Sequence, residues 1–281
     1  MNCIFCNSPN PKSVEHVIPE SLGNDDLALV DEVCSACNAA FSSVENYVLT
    51  KTPIAFWRTL LGIRTKKGNL PRVDLSQPGV DKGVWADRHA AHDNGIAFES
   101  HNDGSISVDI ADDSVLKRIV HGEKSDFRFV FTPKALHLLG RFLAKIGIEL
   151  LCTSDHYDPR GDRFKDCRKY ARHGSQNSLW PLFFFTEGTV SDLVRINLEG
   201  DYDLRVDVDC YSYEVKSIGD NILFCLGVGT DRWVMCLSHQ YPSPIIRDAF
   251  GGKALELIWY SEEQLANKAL HRTPSNCAGE L

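Results

Sequence analysis

The sequence has no long apolar run and no excess of basic charge. No stretch of its 281 residues approaches the roughly 20 consecutive apolar residues that a membrane-spanning helix needs. The chain opens at Met1 without the basic and apolar regions of an export signal, so we expect an unprocessed, cytoplasmic protein that binds no membrane. Lys and Arg number 30 against 38 for Asp and Glu, and the net charge of −8 excludes a uniformly basic nucleic-acid coat. A polyanionic partner therefore has to meet a local basic patch.

Charge is unevenly distributed over the first 73 residues. Residues 1–50 contain seven acids and a single base, Lys12, whereas residues 51–73 contain six bases and no acid. We call residues 51–73 the basic segment, and its bases are Lys51, Arg58, Arg64, Lys66, Lys67 and Arg72. An acidic module followed by a basic segment suits an enzyme that acts on polyanions, and a solvated basic helix face is the alternative.

Four of the ten cysteines form two CxxC pairs. Cys3 and Cys6 are separated from Cys34 and Cys37 by 27 residues. A thiolate pair two residues apart lets one tight turn present two ligands to a tetrahedral ion, so two such turns predict a structural Zn²⁺ site. The chain length and the missing export signal argue against a disulfide framework. Four unrelated thiols or a redox dithiol remain as alternatives, and neither pair follows a strand in a βαβ pattern.

The pattern around the cysteines predicts two short strands followed by helices. Residues 14–18 are rich in β-branched side chains and end at Pro19, which favours a short strand and a loop. After the second CxxC pair, a helical spacing is seen at Phe41, Val44 and Val48. Pro53 is expected to open another helix that runs through Arg64.

The second half of the chain predicts a long helix and a sheet. Residues 132–151 carry leucine and isoleucine at helical spacing. Within residues 182–238, five β-rich runs separated by Gly and Asp predict strands at 182–185, 193–198, 204–208, 222–228 and 233–237. Residues 74–131 are irregular, with short alternating runs, and are expected to form a linker or small strands. We therefore predict an α+β fold, in which an antiparallel sheet packs on the long helix. The expected divisions are 1–73, 74–131, 132–265 and a disordered tail, 266–281.

A candidate site is formed by residues between the two cysteine pairs and directly after the second pair. Glu15 and His16 fall on the predicted strand, and Asn38 lies beside Cys37 at the start of the predicted helix. A zinc ion that ties the cysteines together would hold these residues close to one another. A carboxylate and an amide oxygen suit a hard divalent ion such as Mg²⁺, and a neutral imidazole can take a proton from water. Adjacent strand residues point to opposite faces, so Glu15 and His16 are expected to do different jobs unless the strand is distorted.

Residues 1–50 resemble the zinc-stapled branch of the HNH endonucleases. The residues that carry the resemblance are Cys3, Cys6, Ser13, the run Glu15-His16-Val17-Ile18-Pro19-Glu20-Ser21-Leu22-Gly23-Asn24, Val33, Cys34, Cys37, Asn38 and Glu45. The fold that this resemblance implies is the ββα-metal finger. More loosely, residues 135–151 and 166–174 are similar to the helical region that follows the finger in stand-alone members.

The resemblance implies a role for each matching residue. His16 would be the general base that activates water, and Glu15 and Asn38 would bind a catalytic Mg²⁺ or Mn²⁺ ion. Asp31 falls on or near the family position that orients the base. Two positions depart from the family pattern, because Glu15 replaces the usual Asp and Asp31 replaces an Asn. The Zn²⁺ ion would be structural, since four thiolates leave no position open for chemistry.

The function that the resemblance implies is metal-dependent hydrolysis of nucleic-acid phosphodiester bonds, with DNA as the expected substrate. The bases of the basic segment would grip phosphates without regard to sequence. Residues 132–265 would then recognise the target or a partner. The alternative is a catalytically silent zinc module that binds nucleic acid or a protein, and a protein partner or an oligomer is left open. A second basic stretch, 160–173, includes several acids, so an internally paired surface competes there with substrate binding.

The end of the chain gives a hint about its origin. Residues 266–281 look similar to the translated recombination sites at the ends of bacterial integron cassettes. This likeness suggests a mobile gene cassette, with bacterial defence or a mobile element as the setting. An ordinary disordered terminus is an equal alternative.

Overall fold

The computed structural model describes the chain in segments, and all structural statements refer to these. The described residues are 2–9, 11–24, 26–61, 63–65, 67–69, 72–74, 96–100, 106–110, 133–174, 180–187, 211–239, 243–252 and 255–257. The strands are β1 Val14–His16, β2 Ala28–Val30, β3 Arg72–Asp74, β4 Ile96–Ser100, β5 Ile106–Ile110, β6 Leu182–Thr186, β7 Tyr211–Ile218, β8 Asn221–Val228, β9 Asp231–Cys236 and β10 Leu255–Leu257. The α-helices are α1 Ser35–Lys51, α2 Pro53–Leu60, α3 Pro133–Leu151, α4 Lys165–His173 and α5 Ser243–Ala249.

The N-terminal residues form a ββα unit. Strands β1 and β2 pair antiparallel, and His16 lies opposite Ala28. The connection between the two strands contains a 3₁₀ turn at Glu20–Leu22, which ends at Gly23 with a left-handed φ of 89°. Helix α1 then begins directly after Cys34. The predicted order of two short strands and a helix is therefore confirmed.

Helix α2 is shorter than the sequence pattern predicted. Thr52 separates it from α1 and caps it, since the Thr52 hydroxyl accepts a hydrogen bond from the Ile54 amide at 3.3 Å. The helix ends at Leu60 rather than at Arg64. Arg64 instead precedes a tight turn in which the Thr65 amide donates to the Asn69 carbonyl at 2.8 Å.

The second half of the chain combines the predicted long helix with an antiparallel sheet of five strands. Within the described residues the strand order is β10-β6-β9-β8-β7. Two of the predicted strand runs, 193–198 and 204–208, lie outside the described residues. Strands β3, β4 and β5 form a separate antiparallel sheet in the region that was predicted to be irregular with small strands. The α+β fold class is confirmed.

A continuous hydrophobic core joins the N-terminal unit to the second half. Phe41 on α1, Leu139 and Leu143 on α3 and Trp233 on β9 belong to the same buried cluster. A smaller cluster lies on the other side of the sheet, where Ile246 of α5 packs. Helix α3 thus serves as a shared wall between the ββα unit and the sheet. No described helix is long and apolar enough to cross a membrane.

Candidate functional site

The four cysteines of the two CxxC pairs come together in one cluster. The sulfur atoms of Cys3 and Cys37 lie 3.7 Å apart, and those of Cys6 and Cys34 lie 3.6 Å apart. All four sulfurs lie within 4.8 Å of one another. Four sulfurs that bind Zn²⁺ tetrahedrally at about 2.3 Å are separated by roughly 3.8 Å. The cluster therefore fits the predicted structural Zn²⁺ ion without rearrangement.

The electrostatics of the cysteine cluster favour metal ligation. The hydrogen bond with Cys37 lowers the pKa of the Cys3 thiol to about 4. The same contact, together with burial, raises the pKa of the Cys37 thiol above its ordinary value. One sulfur of this pair is thus a thiolate at neutral pH, and the thiolate is the form that binds metal.

The cysteine cluster also fixes the start of α1 beside β1. The Ile4 amide donates to the Glu32 carbonyl at 3.0 Å, and the Asn38 amide donates to the Cys34 carbonyl at 3.0 Å. The side-chain amide of Asn38 then donates from Nδ2 to the Val14 carbonyl at 3.4 Å. Because the nitrogen of this amide is used on β1, its oxygen, Oδ1, is left to act as a ligand or an acceptor.

The ββα unit and the turn after α2 enclose a cleft of about 550 Å³. Its lining includes Glu15 and His16 from β1, Asn38 and Glu45 from α1, and Lys67 from the turn. Three of the residues predicted for the site from the sequence, Glu15, His16 and Asn38, are thus brought to one surface. A second cleft of about 560 Å³ lies on the five-stranded sheet beside Phe250, and it contains none of the predicted site residues.

His16 is held at one ring nitrogen only. Its Nε2 lies 2.9 Å from Oε1 of Glu20. Its Nδ1 is buried and has no hydrogen-bond partner within the described part of the chain. A neutral imidazole whose Nε2 proton is donated to a carboxylate carries its lone pair on Nδ1. Nδ1 is therefore the ring nitrogen left to accept a proton, and it is buried beneath the surface of the cleft.

Asp31 is not the residue that orients His16. Asp31 is exposed and follows β2 with a positive φ of 60°. The β1–β2 register places Ala28 opposite His16, so Asp31 lies beyond the other end of the hairpin. Glu20 contacts the imidazole instead. The sequence signal for Glu20 was its position four residues after His16, across the turn that Pro19 introduces.

Glu15 is buried and forms an ion pair with a residue that the sequence analysis missed. Its Oε1 lies 2.6 Å from Nζ of Lys145, which is on α3 and is 1% exposed. The same ammonium lies 2.8 Å from Oε1 of Glu45 and 3.1 Å from Oε2 of Glu149. Because Lys145 is separated from Glu15 by 130 positions in the chain, no local spacing pattern pointed to this contact.

Burial and neighbouring charges have opposite effects on the pKa values of Lys145 and Glu149. Burial acts to lower the pKa of Lys145, but the carboxylates of Glu149, Glu45 and Glu15 raise it above its ordinary value. Burial raises the pKa of Glu149 well above its ordinary value, against the effect of Lys145. The ammonium is therefore retained at neutral pH because its acidic neighbours outweigh the effect of burial.

The bases of the basic segment have different environments. Lys51 and Lys67 are exposed. Arg64 is also exposed and donates to the Gly68 carbonyl at 2.8 Å. The side chains of Lys66 and Arg72 lie outside the described residues.

Arg58 was predicted as a phosphate contact, but it is only 5% exposed. Its guanidinium donates to the carbonyls of Ser21 at 2.6 Å and Leu49 at 3.2 Å. Burial lowers the pKa of this guanidinium. Arg58 is therefore a buried cation in the wall of the cleft, where it ties α2 to the 3₁₀ turn and to α1.

Arginines of the second basic stretch, 160–173, form ion pairs and hydrogen bonds with other residues of the protein. Arg160 pairs with Glu32 and donates to the Asn2 carbonyl. Arg168 donates to the Pro159 and Gly161 carbonyls. These contacts favour the internally paired surface over a substrate-binding surface.

A family model described as HNH endonuclease matches residues 3–49. The matched range begins at the first cysteine of the cluster and contains Glu15, His16, Asn38 and Glu45. No curated protein matches the chain, and no solved structure matches it.

Proposed function

We propose that the protein is a metal-dependent endonuclease that hydrolyses DNA phosphodiester bonds, since its residues 3–49 match the HNH endonuclease family model. The observation that carries the proposal is the state of His16. Its Nε2 is bound to Glu20 and its Nδ1 is without a partner among the described residues, in a cleft that also contains carboxylate and amide oxygens.

His16 is the proposed general base. Its Nδ1 takes the proton from the attacking water, and Glu20 holds the ring and stabilises the imidazolium that forms. A positioned base of this kind contributes roughly 10²- to 10⁴-fold to a rate. Glu20 thus replaces Asp31 as the proposed orienting residue.

Glu15 and Asn38 are the proposed ligands of the catalytic divalent ion. Both line the cleft, and the Asn38 amide nitrogen is already directed at Val14, which leaves its oxygen as a donor to a hard ion. An Mg²⁺ or Mn²⁺ ion bound there would supply charge stabilisation at the phosphate and the leaving oxygen. The Zn²⁺ ion of the cysteine cluster has a structural role in this proposal.

The exposed lysines of the basic segment are the proposed contacts to substrate phosphates. Lys67 lines the cleft, and Lys51 lies at the end of α1. Each phosphate contact would add a salt-sensitive, sequence-independent increment to affinity. The net charge of −8 over the whole chain makes a local grip of this kind necessary.

A catalytically silent zinc module is the second candidate. The observation in its favour is the ion pair between Glu15 and Lys145 at 2.6 Å, because it leaves only the other carboxylate oxygen of Glu15 for a divalent ion. A silent module would still bind nucleic acid through the basic segment.

The two candidates are separated by a binding assay and a cleavage assay on the same labelled DNA duplex. Retardation in a gel with EDTA, followed by cleavage when Mn²⁺ is added, is the result expected of the nuclease. Retardation without cleavage in Mn²⁺ or Mg²⁺, for both DNA and RNA duplexes, would favour the silent module.

A further inference from the structure

One buried lysine connects helix α3 to both of the key residues of β1. Lys145 contacts the carboxylate of Glu15 at 2.6 Å and donates to the backbone carbonyl of His16 at 2.9 Å. Its other contacts are with Glu45 on α1 and Glu149 on α3. Three elements, β1, α1 and α3, thus meet at a single ammonium group.

Stability alone does not account for this arrangement. Glu149 lies one helical turn from Lys145 and is completely buried, so the lysine already has a partner on its own helix. Burying charges carries a large desolvation cost, and replacing a buried ion pair with apolar side chains of similar volume is often neutral or stabilising. Most of the other buried side chains of α3 are indeed apolar, among them Leu139, Phe142 and Ile146.

The two contacts on β1 act on successive residues. Side chains of adjacent strand residues point to opposite faces, so the placement of Glu15 relative to His16 depends on the local backbone. An ammonium that binds the side chain of one residue and the carbonyl of the next fixes both at once. We propose that Lys145 is a positioning residue of the nuclease centre, which holds the Glu15 carboxylate and the His16 backbone in register for metal binding and water activation.

This inference rests on the proposed nuclease function and extends it beyond the N-terminal unit. The matched family range ends at residue 49, whereas Lys145 lies on a helix nearly 100 residues further along the chain. The second half of the molecule therefore contributes to the site directly, and it does more than cover the core of the ββα unit.

The test compares three variants of the full-length protein. Lys145→Met removes the ammonium with little change in length. Glu149→Gln perturbs the same buried cluster without removing a contact to β1. Lys134→Met is the matched control, since Lys134 is an exposed lysine on the same helix. For each variant we would measure the zinc content and the midpoint of thermal unfolding. We would also measure the Mn²⁺ affinity, from the paramagnetic resonance of free Mn²⁺, and kcat and KM for plasmid cleavage.

The expected result is specific to Lys145→Met. Its Mn²⁺ affinity falls about 10-fold and its kcat falls about 10- to 100-fold, as for other groups that orient metal ligands, whereas KM and zinc content are unchanged. Glu149→Gln and Lys134→Met keep the Mn²⁺ affinity within about twofold. Lys145→Gln, which retains an amide donor for the His16 carbonyl, gives an intermediate effect and serves if Lys145→Met does not fold.

Two results would overturn the inference. One is a Lys145→Met variant with a lower midpoint but unchanged Mn²⁺ affinity and kcat. The other is a parallel loss in Lys145→Met and Glu149→Gln that follows their loss of stability. A wild-type protein that binds no Mn²⁺ and cuts no plasmid would instead contradict the proposed function itself.

Discussion

At the scale of single residues, the candidate site depends on which atom of each side chain is already used. Glu20 contacts Nε2 of His16, and the Val14 carbonyl accepts a hydrogen bond from Nδ2 of Asn38. Lys145 forms an ion pair with Oε1 of Glu15. Nδ1 of His16 and Oδ1 of Asn38 are thereby left for the proposed chemistry. The sequence predicted His16, Glu15 and Asn38 for the site, and the structure brings them to one cleft. Their partners could not be predicted from spacing, because partners are set by side-chain direction and tertiary contact.

Replacing Glu20 tests the orientation of the base. Glu20→Ala removes the contact at 2.9 Å with Nε2 of His16, so the tautomer and the ring angle of His16 are no longer fixed. We expect kcat for plasmid cleavage to fall roughly 10- to 100-fold, with zinc content and DNA affinity unchanged. Glu187→Ala, which removes an exposed acid with an ionic partner outside the cleft, is the control. Equal rates for Glu20→Ala and wild type would remove Glu20 from the mechanism.

The buried carboxyl group of Asp231 is expected to make the free energy of unfolding depend on pH. Burial raises the pKa of this carboxyl to about 7, and a hydrogen bond from Trp57 and the charge of Arg232 only partly oppose the shift. The folded state therefore holds a proton that the unfolded state releases near pH 4, so the free energy of unfolding falls as pH rises from about 4 to about 7.

The size of the effect is on the order of 4 kcal/mol across that interval, taken as an upper limit. Asp231→Asn keeps the shape of the side chain and cannot ionise. Urea unfolding of both proteins at several pH values should show a difference in stability that grows toward pH 7 in favour of the variant. A constant difference would contradict the account.

At the scale of elements, the sequence pattern predicted where helices form better than where they end. The helical spacing of Phe41, Val44 and Val48 correctly indicated α1. The end of α2 was misplaced because the turn between Thr65 and Asn69, which follows the helix, depends on hydrogen bonds between residues that no periodic pattern marks. Strand β7 was missed because, of its eight residues, none is fully buried, which leaves little hydrophobic signal.

The basic segment predicts a salt-dependent effect on binding. Lys67 is exposed, lies in the turn after α2 and lines the cleft. Lys67→Glu should weaken binding to a DNA duplex in EDTA and reduce the slope of log affinity against log salt by about 1. Lys169→Glu makes the same exchange on the exposed side of α4 and should leave the slope unchanged. An unchanged slope for Lys67→Glu would exclude this lysine from the grip.

At the scale of the whole molecule, the ββα unit and the second half share one hydrophobic core. No pattern in the sequence indicated this shared core, because the apolar faces of α1 and α3 are equally consistent with separate domains. In the structure Phe41 and Leu139 belong to one cluster, and Arg160 links the second half to Glu32 and Asn2. We therefore expect metal at the cysteine cluster to influence the stability of the entire chain.

Removal of zinc tests this coupling. A structural Zn²⁺ site contributes folding free energy directly, because its ligands are not arranged in the unfolded chain. Chelation of zinc, or Cys34→Ser, should lower the midpoint of a single thermal transition that is followed both by far-ultraviolet circular dichroism and by tryptophan fluorescence. Cys167→Ser, a buried cysteine outside the cluster, is the control for zinc content. Two separate transitions, of which only the first depends on zinc, would contradict the shared core.

The most direct test of the central claim is cleavage of supercoiled plasmid in Mn²⁺ or Mg²⁺ by zinc-loaded wild type, His16→Ala and His156→Ala. His156 is an exposed histidine outside the cleft and provides the matched control. If His16 is the general base, wild type and His156→Ala cut at the same rate and His16→Ala cuts at least about 10²-fold more slowly. Cutting by His16→Ala at the wild-type rate would contradict the proposed catalytic site.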